Sequence, residues 1–278
     1  MLTVSVFPGG RRHVSGNRCE KALRGESAAK PGENIFAYKR ERMFAYPPLE
    51  PENAPRGEIG IPRVLNMYEN YPFWATFFRD LGFRVILSPF STRAIYELGM
   101  ESIPSESECY PAKLAHGHAQ WLIDHGVKTI FHPCVFYEHQ EVPGAQNHFN
   151  CPIVVSYPEN IKNNVEAVTD GSVRYLHPFL AFTNEKVASD RLVQFCKEVW
   201  NIPEKETRHA AHLAWEEQRR AKADVRAAGA KALADMEKNG GSGIVLAGRP
   251  YHVDPEINHG IPELIAAYGL TVLTEDCL

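Results

Sequence analysis

Short runs of β-branched and aliphatic residues alternate with helical patterns between residues 58 and 160. In chain order these segments are EIGIPRVL, YPFWATFFRDLG, FRVILSP, STRAIYELG, PAKLAHGHAQWLIDHG, VKTIFHP and CPIVVSY. Strands that alternate with helices are typical of βαβ units, in which each helix carries the chain back so that the next strand runs parallel. The sequence therefore predicts an α/β fold with a doubly wound, mainly parallel sheet of the Rossmann or flavodoxin-like type.

The other parts of the chain differ from this α/β domain, which we place at residues 57–182. Residues 1–56 begin with a predicted hairpin, turned by a Pro-Gly-Gly sequence, and continue as a proline-rich connector. Residues 183–240 are helical in pattern, with a break at Asn-Ile-Pro, and predict a helical spacer. Residues 241–278 predict a strand, a helix and a strand, and we expect them to be the start of a second, truncated α/β unit.

Composition and motifs exclude several classes of protein. The net charge of −4 provides no positive field for a nucleic acid. No run approaches the about 18 uninterrupted apolar residues of a membrane-spanning helix. The sequence contains no GxxxxGK[ST] loop, GxSxG elbow or HExxH motif, so we expect no nucleotide site in this chain and no such hydrolase. It predicts a cytoplasmic protein that binds neither nucleic acid nor membrane.

The six cysteines contain no CxxC pair, so each is a candidate for packing, metal binding or nucleophilic chemistry. Cys134 follows the predicted strand VKTIFHP, and Cys109 precedes the helix that opens at Pro111. Ligands of open α/β sheets bind beyond the carboxyl ends of the strands, so we expect these two thiols at one rim. Cys151 precedes the predicted strand PIVVSY and would lie at the opposite end unless the preceding loop folds back. Each cysteine also fits a small buried side chain, as we expect for Cys196.

Histidines and an arginine provide a second set of candidates. His116 and His118 are two residues apart, so they cannot share a helix face and do not predict a zinc pair. A strand-to-helix loop near residue 250 is rich in polar side chains. Its candidate residues are Arg249, His252, Asn258 and His259. Backbone N–H groups and the Arg249 guanidinium would hold an anion there, and a network of helix caps and turns explains the same residues equally well.

Several long strings resemble one protein family. They are SGNRCE at 15–20, GIPRVLNMYENYPFW at 60–74, ESIPSESECYPAKLAHGH at 101–118, HPCVFYE at 132–138, NCPIVVSYPE at 150–159 and GRPYHVDPEINHGIPELI at 248–265. The family is that of acyl-CoA dehydratase activase-related proteins, which are kin of the 2-hydroxyacyl-CoA dehydratases and the double-cubane cluster proteins. The resemblance implies an oxygen-sensitive iron–sulfur cluster, [4Fe–4S] or double cubane, in an anaerobic, low-potential electron-transfer system.

The resemblance also implies which cysteines hold the cluster. Cys109 and Cys134 match the family's motif cysteines best, and Cys151 lies in a matching string. Three thiolates would leave one iron open to a substrate oxygen or a bridging sulfide. Cys19 matches a further motif, whereas Cys277 stands at a position without a matching cysteine.

On this resemblance, the chain is an iron–sulfur module reduced by an activase-type ATPase domain or subunit. A dehydratase-like domain is missing from this chain, and a catalytic role would belong to the lyase or reductase class. Two alternatives remain open. The chain is a non-catalytic scaffold that docks an activase or dehydratase subunit, or it is a zinc-binding α/β protein.

Overall fold

The computed structural model describes residues 3–6, 12–15, 31–142, 144–145 and 147–277. An antiparallel strand pair with Thr3 opposite Ser15 lies where the sequence predicts an N-terminal hairpin. Its Pro-Gly-Gly turn and Cys19 lie outside the described residues.

The described chain contains ten strands and ten α-helices. The strands are β1 (Thr3–Val6), β2 (Arg12–Ser15), β3 (Glu58–Ile61), β4 (Arg84–Leu87), β5 (Thr129–Phe131), β6 (Cys134–Val135), β7 (Arg174–Leu176), β8 (Phe179–Leu180), β9 (Gly243–Leu246) and β10 (Thr271–Thr274). The helices are α1 (Ile35–Met43), α2 (Met67–Asp80), α3 (Arg93–Gly99), α4 (Tyr110–Asp124), α5 (Pro152–Asn164), α6 (Glu166–Thr169), α7 (Glu185–Trp200), α8 (Glu204–Lys238), α9 (Pro255–Asn258) and α10 (Ile261–Ala267).

Four strands form a parallel sheet in the order β4-β3-β5-β7. The strand β3 pairs with β4 along its whole length, from Glu58 opposite Arg84 onward, and β5 pairs with β7. A two-residue pair, β6-β8, runs parallel just beyond β5 and β7. The predicted α/β class with a mainly parallel sheet is confirmed.

Helices cover both faces of the four-stranded sheet. On one face Ile59 and Ile61 of β3 pack in a core with aromatic side chains of α2 and with α7 and α8. On the other face a side chain at Gly60 would meet Leu122 of α4 and Val127. Alternate residues of β3 therefore face opposite helical layers, as a buried parallel strand requires.

The 35-residue helix α8 extends from this sheet to a second parallel pair, β9-β10. Its N-terminal half contributes Trp215 to the core of the first sheet. Further along, Val225 packs with Ile35 of α1 and Leu273 of β10. The strand–helix–strand order predicted after residue 240 is confirmed, while the domain boundaries stay predictions. No helix among the described residues is long and apolar enough to cross a membrane.

One local prediction is wrong, and one segment contains a helix that its sequence does not indicate. The segment PIVVSY forms the start of α5, because Pro152 occupies the first helical turn and the buried residues Val154, Tyr157 and Ile161 recur at helical spacing. The strand next to β5 is instead β7. The proline-rich connector also contains a helix, α1, which Asn34 caps by accepting a hydrogen bond from the N–H of Ala37.

Two glycines permit the close crossing of α3 and α4. A Cβ atom at Gly117 would overlap the carbonyl oxygen of Ile95, and one at Gly99 would overlap the backbone nitrogen of Gly117. Backbone atoms cannot move aside as a flexible side chain can. The position of α4, and of the residues at its N-terminus, depends on these two glycines.

We predict that Gly117→Ala lowers the free energy of unfolding by about 2 kcal/mol, because overpacking outweighs the gain of about 1 kcal/mol in helix propensity. Urea denaturation measures the change. Gln120→Ala on the outer side of the same helix is the control and should stay within about 0.5 kcal/mol of the original chain. Unchanged stability of Gly117→Ala would contradict the packing described here.

Candidate functional site

The order of the strands reverses between β3 and β5, which makes this the switch point of the sheet. In open α/β sheets, ligands bind in the crevice at the carboxyl ends of the strands at such a point. Asn66 and Asn70 at the start of α2, together with His132 after β5, line a small cavity here. We name this side of the sheet, where Cys109, Cys134 and Cys151 are located, the cysteine edge.

Cys109 and Cys151 are the N-cap residues of α4 and α5. Each is followed by a proline in the first turn, and each has the extended backbone that a helix entry needs. Cys109 is exposed and Cys151 is partly buried. The positive end of a helix dipole stabilises a thiolate or another anion at its N-terminus.

Glu108 joins the N-terminus of α4 to α5. Its carboxylate accepts a hydrogen bond from the Tyr157 hydroxyl at 2.6 Å and another from the Asn160 amide at 2.9 Å. Glu108 precedes Cys109 directly, and Tyr157 and Asn160 belong to the helix that Cys151 opens. These bonds hold the two cysteine-bearing segments next to each other.

Tyr251, from the loop after β9, packs in the same region as Cys151. Burial raises the pKa of Tyr251, and the thiols of Cys151 and Cys109 raise this pKa further. Tyr251 also packs against the apolar cluster that contains Cys151 and Tyr157. The structure therefore places the entries of α4 and α5 next to each other, while a shared site for the thiols of Cys109 and Cys151 stays a prediction.

Cys134 has different neighbours. It is fully buried at the start of β6, and its N–H donates to the carbonyl oxygen of Pro178. Burial raises the pKa of Cys134 to about 12, and the charges that act on it are those of Glu159 and Lys162. Within the described ranges, no group of three His, Cys, Asp or Glu side chains is arranged to hold a metal ion. A single site with Cys109, Cys134 and Cys151 stays a prediction.

Several polar groups of the loop after β9 form hydrogen bonds with one another. The N–H of Arg249 donates to Nδ1 of His252, and the Asn258 amide donates to the carbonyl oxygen of His252. Asn258 also accepts from the N–H of Gly260, and His259 is exposed. The exposed Arg249 lines a cleft of about 280 Å³ that Asn150 also lines. The anion site at Arg249, His252, Asn258 and His259 stays a prediction.

Asp254 fixes this loop onto the first sheet. Its carboxylate is 1% exposed and accepts hydrogen bonds from the hydroxyls of Tyr68 and Ser91. It also accepts from the N–H of Glu256 at 3.0 Å and so caps α9. The Ser91 hydroxyl is in turn within 2.9 Å of Nε2 of His118. All of these side chains except Glu256 are buried, so they position the loop and do not act as an exposed nucleophile.

Glu138 is a carboxylate at the switch point that is not among the residues predicted from the sequence. Its side chain accepts hydrogen bonds from the amides of Asn66, Asn70 and Asn150. The signal was the position of these residues, because Asn66 follows β3 and Glu138 follows β5 and β6. Both strand ends meet at the same edge of the sheet.

We predict that Asp254→Ala lowers the free energy of unfolding by about 3 kcal/mol, because it leaves the buried hydroxyls of Tyr68 and Ser91 without their acceptor. Equilibrium unfolding in urea measures the loss. Glu263→Ala removes an exposed carboxylate from the neighbouring helix α10 and should have little effect. Equal stabilities of the two variants would be inconsistent with this anchoring role.

Three buried histidines predict a dependence of stability on pH. Burial lowers the pKa of His116 to about 4 and the pKa values of His118 and His132 to about 3, from an ordinary 6.5. In the unfolded chain these histidines become protonated near pH 6.5, whereas in the folded chain they stay neutral until the pH reaches their lowered pKa values. The stabilisation that is present above pH 6.5 is therefore lost as the pH falls toward the pKa values of the folded state. Each histidine contributes up to about 1.4 kcal/mol per pH unit.

We therefore predict that His118→Gln loses stability less steeply than the original chain between about pH 7 and pH 5. Chemical unfolding at several pH values gives both slopes. Carboxyls with raised pKa values, such as Glu138, make the folded chain more stable as the pH falls. They contribute equally to both proteins, so the difference between the two slopes is due to His118. His212→Gln on exposed α8 surface should keep the original slope, and an unchanged slope in His118→Gln would refute the assignment.

A known protein family matches most of the chain. A family model described as CoA enzyme activase uncharacterised domain (DUF2229) matches residues 58–278. This range includes the three predicted cysteines, the four-stranded sheet and the loop with Arg249 and Tyr251. No curated protein and no solved structure matches the sequence. The match covers most of the chain and confirms the resemblance, so the chain belongs to the family of the CoA enzyme activase uncharacterised domain.

Proposed function

We propose that this chain is the iron–sulfur-cluster-binding module of an ATP-dependent, low-potential electron-transfer system. Family membership supports a role related to CoA enzyme activases, and the proposal adds a cluster, [4Fe–4S] or double cubane, at the cysteine edge. In this proposal an activase-type ATPase domain or subunit supplies electrons, and a dehydratase-like domain or subunit uses them.

The observation that carries the proposal is the pairing of two cysteine-bearing helix N-termini. Glu108 binds α5 through Tyr157 and Asn160, and Cys109 and Cys151 both act on Tyr251. Iron–sulfur clusters are held by thiolates. The partial positive charge at the N-termini of α4 and α5 favours the negative charge of a cluster.

The cysteines present fit the cluster at two of the three expected ligands. Cys109 is exposed, Cys151 is partly buried, and the charges of both thiols raise the pKa of the same tyrosine, Tyr251. Cys134 is the third ligand in this proposal, and its raised pKa opposes ionisation until a metal binds. In this proposal metal loading recruits Cys134, and the shortness of β6, which has two residues, favours the local adjustment that binding requires.

Other residues of the edge suit the surroundings of a cluster. When bound, the cluster supplies one-electron transfer at a potential set by burial and by hydrogen bonds to sulfur. Tyr251 keeps its proton because its pKa is raised, so its hydroxyl remains a hydrogen-bond donor. Arg249 adds a positive charge at the neighbouring cleft. The five described cysteines are free, which suits the reducing cytoplasm that we propose as the compartment.

We predict that Cys109→Ser and Cys151→Ser each retain less than about a tenth of the iron of the original chain, because each loses a thiolate ligand. Cys134→Ser tests the third ligand and should also lose iron. Anaerobic reconstitution followed by iron and sulfide counting measures retention. Cys196→Ser, in the α7 core, is the control and should keep its iron.

Full iron retention in both Cys109→Ser and Cys151→Ser would overturn the cluster assignment. A colourless protein that holds zinc would favour the zinc-binding alternative. A colourless protein that holds no metal and binds an activase or dehydratase subunit would favour the scaffold alternative.

A further inference from the structure

Glu138 lies at the centre of a group of hydrogen bonds that reaches the residue before Cys151. Its Oε1 accepts from Nδ2 of Asn150 at 2.8 Å, from Nδ2 of Asn70 at 3.0 Å and from Nδ2 of Asn66. We name Glu138 and these three asparagines the Glu138 cluster. It connects three separate parts of the chain at the switch point of the sheet.

Asn66 and Asn70 form the fixed side of the Glu138 cluster. Both are buried, at 8% and 2% exposure, and both belong to the beginning of α2. Because the aromatic residues of α2 fill the main core, this helix cannot shift without disturbing that core. Glu138 is therefore tied to a helix that the core around α2 holds in place.

Asn150 forms the side of the Glu138 cluster that leads to the cysteine edge. Besides binding Glu138, its amide donates to the carbonyl oxygen of Val135 at 3.0 Å. Its backbone N–H donates to the carbonyl oxygen of Phe136 at 2.9 Å. Cys151 is the next residue and begins α5, so the position of Asn150 determines where the Cys151 thiol lies.

Burial raises the pKa of Glu138, whereas the hydrogen bonds from Asn150 and Asn70 lower it by binding the ionised form. Lys222, the cation that acts on Glu138, binds Glu69 at 2.8 Å and also pairs with Glu141. The Glu138 carboxylate is therefore solvated mainly by amide N–H groups, which can only donate. Hydrogen bonds to an ionised acceptor are stronger than neutral ones.

We propose that Glu138 is a positioning residue for Cys151, holding Asn150 so that the N-terminus of α5 and the Cys151 thiol face the cysteine edge. The role of Cys151 as a ligand rests on the function proposed above. The position of the Cys151 thiol, in contrast, is a property of the cluster-free chain and is tested separately.

The test is the alkylation rate of each cysteine in folded, cluster-free protein, measured with iodoacetamide and site-resolved mass spectrometry. Glu138→Gln keeps the size of the side chain but places an NH₂ group among three amide donors. We expect Cys151 to react about tenfold faster, because losing a charge-assisted hydrogen bond favours local opening. Cys109 in the same molecule should react at its original rate.

Two further variants make the test specific. Glu141→Gln removes the same charge from the same loop, but Glu141 pairs with Lys222 and Arg226, so the rate at Cys151 should not change. Asn150→Ala should reproduce the effect of Glu138→Gln. Combining the two changes should add little, since both act through one contact.

Equal acceleration of Cys109, Cys151 and Cys196 in Glu138→Gln would show general loosening and overturn the positioning role. An unchanged rate at Cys151 would overturn it as well. Iron retention after anaerobic reconstitution gives the second readout, and Glu138→Gln should hold less iron than Glu141→Gln. If the original chain binds no iron, the proposed function fails, while the alkylation rates still decide the role of Glu138.

Discussion

Burial of both faces of the parallel sheet is the constraint on which the rest of this structure depends. Parallel strands expose no face to water, so α2, α7 and α8 cover one side and α4 covers the other. What remains open is the carboxyl edge, where the chain leaves each strand. The helices α4 and α5 begin at this edge, and their N-termini carry Cys109 and Cys151. The candidate site therefore lies there.

Three carboxylates assemble this edge, and each joins segments far apart in sequence. Glu108 links the entries of α4 and α5, Asp254 anchors the C-terminal loop with Tyr251, and Glu138 connects α2 to Asn150. Each carboxylate accepts hydrogen bonds from hydroxyl or amide groups. These bonds fix the relative orientation of the segments that they join and also stabilise the contact. The edge is thus held by directional polar contacts on top of an apolar core.

The sequence predicted the parts of the fold that local patterns determine. The strand runs at β3, β4 and β5 and the helix α4 stand as predicted, because their apolar periodicity agrees with the tertiary structure. PIVVSY was assigned wrongly since three β-branched residues suggest a strand, whereas Pro152 and the spacing of its buried residues specify a helix. The bond between Ser91 and Asp254 spans 163 residues, and no local pattern indicates such a contact.

The central claim is that the cysteine-bearing N-termini of α4 and α5 lie together beside Tyr251. Cross-linking of the reduced, cluster-free protein with a short bifunctional thiol reagent, followed by peptide mapping, tests it most directly. The structure predicts that Cys109 and Cys151 become linked to each other within one chain. Separate single adducts on Cys109 and Cys151 in fully folded protein, with no link between them, would contradict it.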